Sequence, residues 1–448
     1  MSRDYVFVMG MKDEGPQDRA VDATVVDLLD MSGIVGHGVG PFLEGLRNLN
    51  VVPSEIGIDL LVLASAVYAA DTSYNRKKTD YDSWTRQFSL SIPVSNVERW
   101  TDLADHLSST LRFLTGDYWN LCFRARPADK SVLAKPPEEL DLTAFDCVSL
   151  FSGGLDSLIG AIDLLASGKR PLLISHYWDA QASAAQKRLS ESLSKKFGED
   201  SYGWLRAHIG FSRADLATAG EDDNQRARSF LFYSMAAVAA DALATTETVI
   251  IPENGLIALN VPLEPFRLGS LSTRTAHPHF IKSYESFVRQ LGIKNSLTNP
   301  YGFKTKGEMV KECADGEFLK SIVADSMSCS APDKLRWQKA KPQHCGFCVP
   351  CLIRRASLLS GLSGKDPTLY YLDDLRAEEL ESMHAEGRNI RSFKFAVADA
   401  ATRPKSLKYI VQKPGPLEPD LIDNYAGIYG RGMAEVGKLL RGVVARHG

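Results

Sequence analysis

The chain has 448 residues, of which 44% are hydrophobic and 24% are charged, and its formal net charge is −3 at pH 7. This length allows two or three domains, and the composition is that of an ordinary globular protein. The small net charge gives no general attraction to nucleic acid, and no uninterrupted apolar run approaches the roughly 20 residues of a spanning helix. We therefore expect neither a nucleic-acid nor a membrane partner. With no export signal at its start, the chain is predicted to be cytoplasmic.

The first 130 residues predict an accessory α+β domain. Strand and helix patterns alternate here, with strands predicted at 5–9, 88–94 and 119–123 and helices at 57–70 and 97–114. Neither a nucleophile–base pair nor a metal-ligand spacing stands out in this part of the sequence. The stretch 131–144, with two adjacent prolines and paired glutamates, is typical of a linker.

From residue 145 the pattern becomes a regular alternation of strands and helices. Strands are predicted at 148–151, 172–178, 204–209 and 249–252, and the helices between them at 180–197 and 225–244. This order predicts an α/β fold in which a parallel sheet carries helices on both faces and binds ligands at the carboxyl ends of its strands. We assign residues 145–366 to this domain and residues 367–448 to a mainly helical C-terminal extension.

The stretch between the first of these strands and its helix is the most informative part of the sequence. It contains Ser152, Gly153, Gly154, Leu155, Asp156 and Ser157. Two adjacent glycines let the backbone approach a phosphate, and the free N–H groups of a helix N-terminus would point at that phosphate. The two serines add hydroxyl donors, and the aspartate offers a carboxylate for a magnesium ion that the phosphates carry. The alternative is an ordinary glycine turn before a surface helix.

This loop lacks the Gly-Lys-Ser/Thr of a Walker motif. It resembles instead the loop of the PP-loop, or N-type ATP pyrophosphatase, superfamily, whose domain is adenine nucleotide α-hydrolase-like. The resemblance implies that residues 152–157 bind ATP, which is split to AMP and pyrophosphate. It also implies that adenine lies at the end of the second strand, beside Ser175 and His176. We assign His176 a lining role in preference to that of a catalytic base.

Arginines and a carboxylate–amide pair follow the later strands. Arg226 is predicted to contact the nucleotide and Arg228 the substrate, because arginine forms charge-assisted pairs with phosphates and carboxylates. Exposed helix arginines are an equally good alternative. Glu253 and Asn254 come directly after the fourth strand, where they are candidates for substrate contacts.

Two further segments supply candidate residues. A donor-rich loop at 269–279 contains Arg274 and His277, which we also predict to contact substrate. Lys306 stands in the first turn of a predicted helix. Because a cation there opposes the helix dipole, its position favours a neighbouring anion.

Four cysteines are grouped in the C-terminal half, at Cys329, Cys345, Cys348 and Cys351. Four thiolates at this spacing suit a closed tetrahedral zinc site. An iron–sulfur cluster is the chemical alternative, and buried free thiols are the other one. A structural zinc ion would hold the loop 330–344 beside the active edge.

Together these motifs resemble the 7-cyano-7-deazaguanine synthase (QueC) family. The resemblance covers roughly residues 145–360 and depends on the phosphate loop, the segment 300–306, and the cysteines followed by Arg354. The large N-terminal part and the extension from residue 367 depart from that compact family. Such a layout is similar to the QueC-like proteins of the bacterial Qat anti-phage defence system. The family's Tyr-Gly-Gln after the second strand is replaced here by residues 177–179, Tyr-Trp-Asp, so the contacts to the guanine edge are not carried over.

The resemblance implies an ATP-dependent ligase that adenylates a 7-carboxy-7-deazaguanine-type carboxylate and passes it to an amine. Ser152, Asp156, Ser157 and Lys306 would be its catalytic residues, and ATP, Mg²⁺ and Zn²⁺ its cofactors. The product would be an amide, a nitrile or a conjugate with a partner protein of the same defence system (QatB-like). We expect the N-terminal domain to dock that partner. Two alternatives stay open: a tRNA-modifying PP-loop enzyme, and a non-catalytic nucleotide-binding scaffold.

Overall fold

The computed structural model describes residues 4–12, 23–29, 35–76, 84–136, 145–212, 216, 225–243, 248–263, 274–330, 343–362 and 366–446. Parts of three predicted segments lie outside these residues. They are 137–144 of the linker, 269–273 of the donor-rich loop, and 331–342 between the first two clustered cysteines.

The N-terminal part contains a parallel sheet flanked by helices. Its strands are β1 (Asp4–Gly10), β2 (Thr24–Asp27), β3 (Gln87–Val94) and β4 (Tyr118–Ala125), in the spatial order β2-β1-β3-β4. Its helices are α1 (Val39–Asn48), α2 (Glu55–Ser73), α3 (Val97–Asp102) and α4 (Ala104–Thr115). The single helix predicted at 97–114 is therefore two helices, which meet at Leu103.

The parallel pairing corrects the expectation of an α+β domain. Every pairing within this sheet is parallel, because helices return the chain between β2 and β3 and between β3 and β4. The misleading signal was the alternation of polar and apolar residues in β3, which is typical of an antiparallel strand with one wet face.

The second sheet is parallel and carries helices on both faces, as the sequence predicts. Its strands are β5 (Cys147–Leu150), β6 (Pro171–His176), β7 (Gly203–Ala207), β8 (Thr248–Ile250) and β9 (Ser296–Thr298). The helices between and after them are α5 (Leu155–Ala166), α6 (Ala180–Phe197), α7 (Arg228–Leu243), α8 (Gly255–Leu259) and α9 (Pro278–Gln290). The spatial order is β7-β6-β5-β8-β9, so the winding direction reverses between β5 and β8.

The C-terminal part is mainly helical. It contains α10 (Lys306–Lys311), α11 (Gly316–Ile322), α12 (Val349–Gly361), α13 (Ala385–Thr402), α14 (Leu407–Ile410), α15 (Ile422–Leu439) and a short strand pair, β10 (Leu380–Glu381) with β11 (Ala445–Arg446). Helix α15 is central to this part, because it packs against α8, α10, α12 and α13. This packing brings the C-terminal extension against the second sheet.

One apolar core joins the two sheets. Helix α2 packs against α7, and buried side chains of β1, β3, β5 and β6 belong to the same hydrophobic cluster. By length and composition α2 could cross a membrane, but 89% of its apolar stretch is buried inside the protein, so it serves as a core helix. The predicted boundary at 131–144 therefore does not coincide with a break in the packing.

A buried ionic cluster secures the N-terminal sheet. The side chains of Arg86, Asp71 and Asp117 are fully buried, and the Arg86 guanidinium donates to both carboxylates, at 2.8 Å to Asp117. Arg76 also pairs with Asp117. Breaking one member of such a cluster leaves a charge buried and under-compensated.

The substitution Arg86→Met should lower the free energy of unfolding by about 3–5 kcal/mol, because Asp71 and Asp117 stay buried with one cation fewer. Urea unfolding followed by circular dichroism measures this change. The control is Arg188→Met, whose exposed pair with Asp325 is worth less than about 1 kcal/mol. Equal urea unfolding midpoints for the two variants would contradict a stabilising role of the buried ionic cluster.

Candidate functional site

A cavity of about 260 Å³ opens at the carboxyl ends of β5 and β8, where the strand order reverses. Crevices at this position are the usual ligand sites of open parallel sheets. Four residues singled out in the sequence, Ser152, Ser157, Arg228 and Glu253, lie together in its wall. The remaining lining residues are Leu150, Gln225, Ser229, Phe232, Tyr233, Ile251, Pro252, Thr275 and Ala276.

The glycine loop has the backbone geometry of an anion site. Gly153 has φ = +84°, a conformation that side chains rarely adopt, and a Cβ there would lie 3.0 Å from the Gln186 side chain. Gly154 is the N-cap of α5 and offers no capping side chain, so the first N–H groups of the helix stay oriented toward the loop. Ser152 is exposed, and its hydroxyl lies 3.2 Å from that of Ser157. The Ser157 hydroxyl is buried and donates to Gly154 O at 3.0 Å, so of the two serines it is Ser152 that faces the open side.

The side chain of Gln186 on α6 supports this loop. It donates to the carbonyl oxygens of Ser152 and His176, each at 3.2 Å, and so ties the ends of β5 and β6 together. No local pattern in the sequence distinguishes this glutamine. It is one polar residue on an amphipathic helix, and only the packing of α6 on the sheet buries it.

Asp156, Glu253, Asn254 and Lys306 meet beside the loop. Asp156 Oδ2 accepts hydrogen bonds from the Asn254 side chain (2.7 Å) and backbone (3.3 Å), while Lys306 Nζ lies 3.1 Å from Asp156 Oδ1. Burial opposes ionisation of Asp156, but the Lys306 ammonium and these hydrogen bonds bring its pKa below the ordinary value. Burial and the neighbouring Asp156 carboxylate raise the pKa of Glu253 well above its ordinary value.

Asp156 and Glu253 bring carboxyl oxygens, which could bind a divalent cation, close to the loop. Asp156 Oδ1 is buried and, apart from its ion pair with Lys306, accepts no hydrogen bond from the described residues. The Glu253 carboxylate is its neighbour and shares the Asn254 amide. Carboxylate oxygens are the ligands that Mg²⁺ prefers, together with phosphate oxygens and water. Asp156 and Glu253 would hold the ion between the cluster and the loop.

Local backbone contacts carry Lys306 into the site. Lys306 is the first residue of α10, and Thr305 caps this helix in a capping box with Glu308. The segment before it is tied to the end of β8, because Gly255 N donates to Lys304 O at 2.9 Å. A Cβ on Gly255 would lie 2.3 Å from Gly302 O, so this close approach requires glycine.

His176, predicted to line the adenine site, is fully buried and is not among the residues that line the cavity. Its Nε2 lies 3.0 Å from Ile209 O, and Arg228 donates to its backbone carbonyl at 3.3 Å. Burial lowers the pKa of His176 to about 3, so the ring is neutral at physiological pH. The Ser175 hydroxyl is used internally, since it donates to Phe151 O at 2.6 Å.

Arg226, Arg274 and His277 also lie outside the cavity wall, and their side chains are engaged elsewhere. Arg226 donates to Thr115 O at 2.9 Å and packs over Trp84, at the junction with the N-terminal sheet. Arg274 donates to the carbonyl of Phe113 (2.8 Å) and lies over its ring. His277 is buried as the N-cap of α9. The expectation that these residues contact nucleotide or substrate is therefore not supported by their positions.

The sulfur atoms of Cys329, Cys345, Cys348 and Cys351 all lie within 4.8 Å of one another, and the thiols are free. Two of the distances are 3.8 and 4.0 Å, close to the edge of roughly 3.8 Å expected for a tetrahedron of Zn–S bonds. A four-iron cluster would hold the thiolates farther apart, because irons and sulfides lie between them. The cysteines could thus bind one metal ion, such as zinc.

The cysteine site is connected directly to the glycine loop. Met327 N donates to Gly153 O at 2.9 Å, and the Ser328 hydroxyl faces Leu155 N at 3.5 Å. The fully buried Arg354 on α12 holds this segment through the hydroxyls of Ser326 (2.8 Å) and Ser328 (3.3 Å). The residues just before Cys329 therefore line one side of the loop.

Comparison of the chain with protein families, with curated proteins and with solved structures finds no match in any of the three. What the site does must therefore be inferred from its own geometry and from the resemblance of its motifs.

The purified protein should carry one zinc ion per chain, as measured by inductively coupled plasma and native mass spectrometry. The substitution Cys348→Ser should lose the metal and lower the unfolding midpoint, because structural zinc contributes folding free energy. The control is Cys122→Ser, which changes an exposed cysteine of β4 and should keep full metal content. A stoichiometric iron content would instead indicate an iron site.

Stability should fall as the pH falls from about 6.5 toward 3, because buried histidines must stay neutral. Burial lowers the pKa of His277 to about 3, so between these pH values the unfolded chain binds one proton more at this residue than the folded protein. The substitution His277→Asn keeps a capping side chain and should reduce the slope of unfolding free energy against pH by about 1.4 kcal/mol per pH unit. A slope equal to that of the unsubstituted protein would mean that folded His277 is already protonated.

Proposed function

We propose that this protein is an ATP-dependent ligase that activates a carboxylic acid as an acyl-adenylate, with the QueC-like PP-loop enzymes as its relatives. The observation that carries the proposal is one arrangement at the strand switch point. An open glycine loop lies beside the buried Asp156–Lys306 pair and the half-buried Glu253. The phosphates of a nucleoside triphosphate are anions, which the loop and the lysine would attract. The triphosphate also carries a metal cation, which the carboxylates would attract.

The first proposed step transfers AMP. A substrate carboxylate oxygen attacks the α-phosphorus of ATP, the bond between the α-phosphorus and its bridging oxygen breaks, and pyrophosphate leaves. The amides and hydroxyls of residues 152–157 hold the departing pyrophosphate, and Lys306 offsets its negative charge. A magnesium ion held by Asp156 and Glu253 would supply further charge stabilisation to the phosphates.

The second proposed step forms the C–N bond. An amine nitrogen attacks the acyl carbon, AMP leaves with the carboxyl oxygen, and the nitrogen loses a proton. Following the resemblance, the acid is a 7-carboxy-7-deazaguanine-type base. The amine then belongs to a small molecule or to a partner protein of an anti-phage system. Arg228 and Gln225 provide polar contacts for this acid, and Phe232 and Tyr233 provide aromatic surface for a flat ring.

The charges of the site favour an enzyme over a non-catalytic scaffold. Placing Glu253 beside the buried Asp156 carboxylate is unfavourable, and it raises the pKa of Glu253 well above its ordinary value. A scaffold that only reads ATP needs the loop but has no use for so costly a cluster. A tRNA-modifying enzyme needs basic residues to bind many phosphates. The net charge of this protein is −3, which does not favour that alternative.

Acid-dependent exchange of labelled pyrophosphate into ATP tests the adenylation step. With 7-carboxy-7-deazaguanine present, the unsubstituted protein should catalyse exchange, and Lys306→Ala should reduce its rate roughly 10²-fold or more, because a fixed cation is lost at the leaving group. The matched control is Lys311→Ala, which removes an exposed lysine of the same helix and should leave the rate within about twofold.

The variant Asp156→Asn should show a similar loss of exchange, and raising the magnesium concentration should restore part of it. Exchange at equal rates in the unsubstituted protein, Lys306→Ala and Asp156→Asn would overturn the proposed mechanism. ATP binding without any exchange, measured by calorimetry, would favour the scaffold.

A further inference from the structure

We infer that Glu435, on helix α15 of the C-terminal extension, is a positioning residue for Lys306. Its carboxylate accepts hydrogen bonds from the two residues that flank that lysine. The Thr305 hydroxyl donates to Oε1, and Gly307 N donates to Oε2 at 3.2 Å. The catalytic role of Lys306 rests on the proposed function. The position of Lys306, by contrast, is inferred from the contacts alone.

The position of α10 depends on contacts from outside the helix. It has only six residues, so few hydrogen bonds within the helix determine where it begins. Its N-cap, Thr305, is held on one side by Glu308 and on the other by Glu435. Lys306 leaves the backbone between the two groups that Glu435 binds, and its nearly buried ammonium ends 3.1 Å from Asp156. A shift at the start of α10 would therefore move the ammonium relative to the glycine loop.

The fit between α15 and α10 is close. A Cβ added to Gly307 would lie 2.5 Å from Glu435 Oε1, so the carboxylate approaches the helix backbone as far as a glycine permits. One turn earlier on α15, Arg431 pairs with Glu308 at 2.6 Å, but that pair is exposed and contributes little. The partly buried Glu435 contact is the stronger of the two.

Charge gives a second reason for a carboxylate at this place. A lysine at the first position of a helix opposes the helix dipole, whose N-terminus is positive. Asp156 compensates the ammonium itself, and Glu435 compensates the helix terminus from the opposite side. The C-terminal extension thus contributes to the site although none of its described residues, 367–446, lines the cavity.

Chemical reactivity of Lys306 tests this inference without any catalytic assay. An amine-acylating reagent followed by peptide mass spectrometry should modify Lys306 slowly in the unsubstituted protein. The substitution Glu435→Ala should raise that rate roughly tenfold, because the lysine is no longer held against Asp156. Glu435→Gln retains an acceptor for Thr305 and should lie between the two. The control is Asp423→Ala, which changes an exposed acid of the same helix and should leave the rate unchanged.

A double-mutant cycle in the exchange assay tests whether Glu435 acts through Lys306. Glu435→Ala should lower kcat roughly tenfold with little change in KM for ATP, and should have no further effect in a Lys306→Ala background. Additive losses, or an unchanged reactivity of Lys306, would overturn the inference. If the unsubstituted protein shows no exchange at all, the proposed function fails, while the acylation rates still decide the role of Glu435.

Discussion

The ion pair between Asp156 and Lys306 is the interaction on which the candidate site depends. It joins the first turn of α5 to the first turn of α10, and the neighbouring Glu253 brings in the end of β8. Three segments that are far apart in the chain are thereby held around one buried group of charges. Burial and the Asp156 carboxylate raise the pKa of Glu253 well above its ordinary value, so the second carboxyl group of this cluster resists ionisation. A cation bound beside it would favour the ionised form.

The segment before the cysteine cluster is hydrogen-bonded directly to the glycine loop. Met327 N donates a hydrogen bond to Gly153 O, and Arg354 contacts Ser326 and Ser328. These contacts couple the position of the four cysteines to that of the glycine loop. A metal ion at the four sulfurs would therefore order one side of the glycine loop as well as its own segment.

Helix α2 of the N-terminal part contacts residues around the candidate site. Tyr68 on α2 packs edge-on against His176, and its hydroxyl donates to Gln225, which lines the cavity. Asp71 accepts from Ala227 N just before α7. Because the apolar core continues across both sheets, removing residues 1–130 would expose the buried face of α7. Docking of a partner protein on this part stays a proposal, and substitutions on its surface would test it better than truncation.

Local patterns in the sequence predicted strands β5 to β8 of the second sheet, the glycine loop, the lysine and the four cysteines, but not β9. These features depend on neighbours in the chain: apolar runs, adjacent glycines at a strand–helix junction, and thiols at ligand spacing. Arg226, Arg274 and His277 were assigned to the site because arginine and histidine suit anions, yet the two arginines donate to carbonyls at the end of α4 and His277 caps α9. The direction of β3 and the roles of Gln186 and Glu435 were likewise decided only by tertiary packing. The physical reason is the same in each case. Composition and spacing determine what a residue can bind, whereas the burial of distant elements against one another determines what it meets.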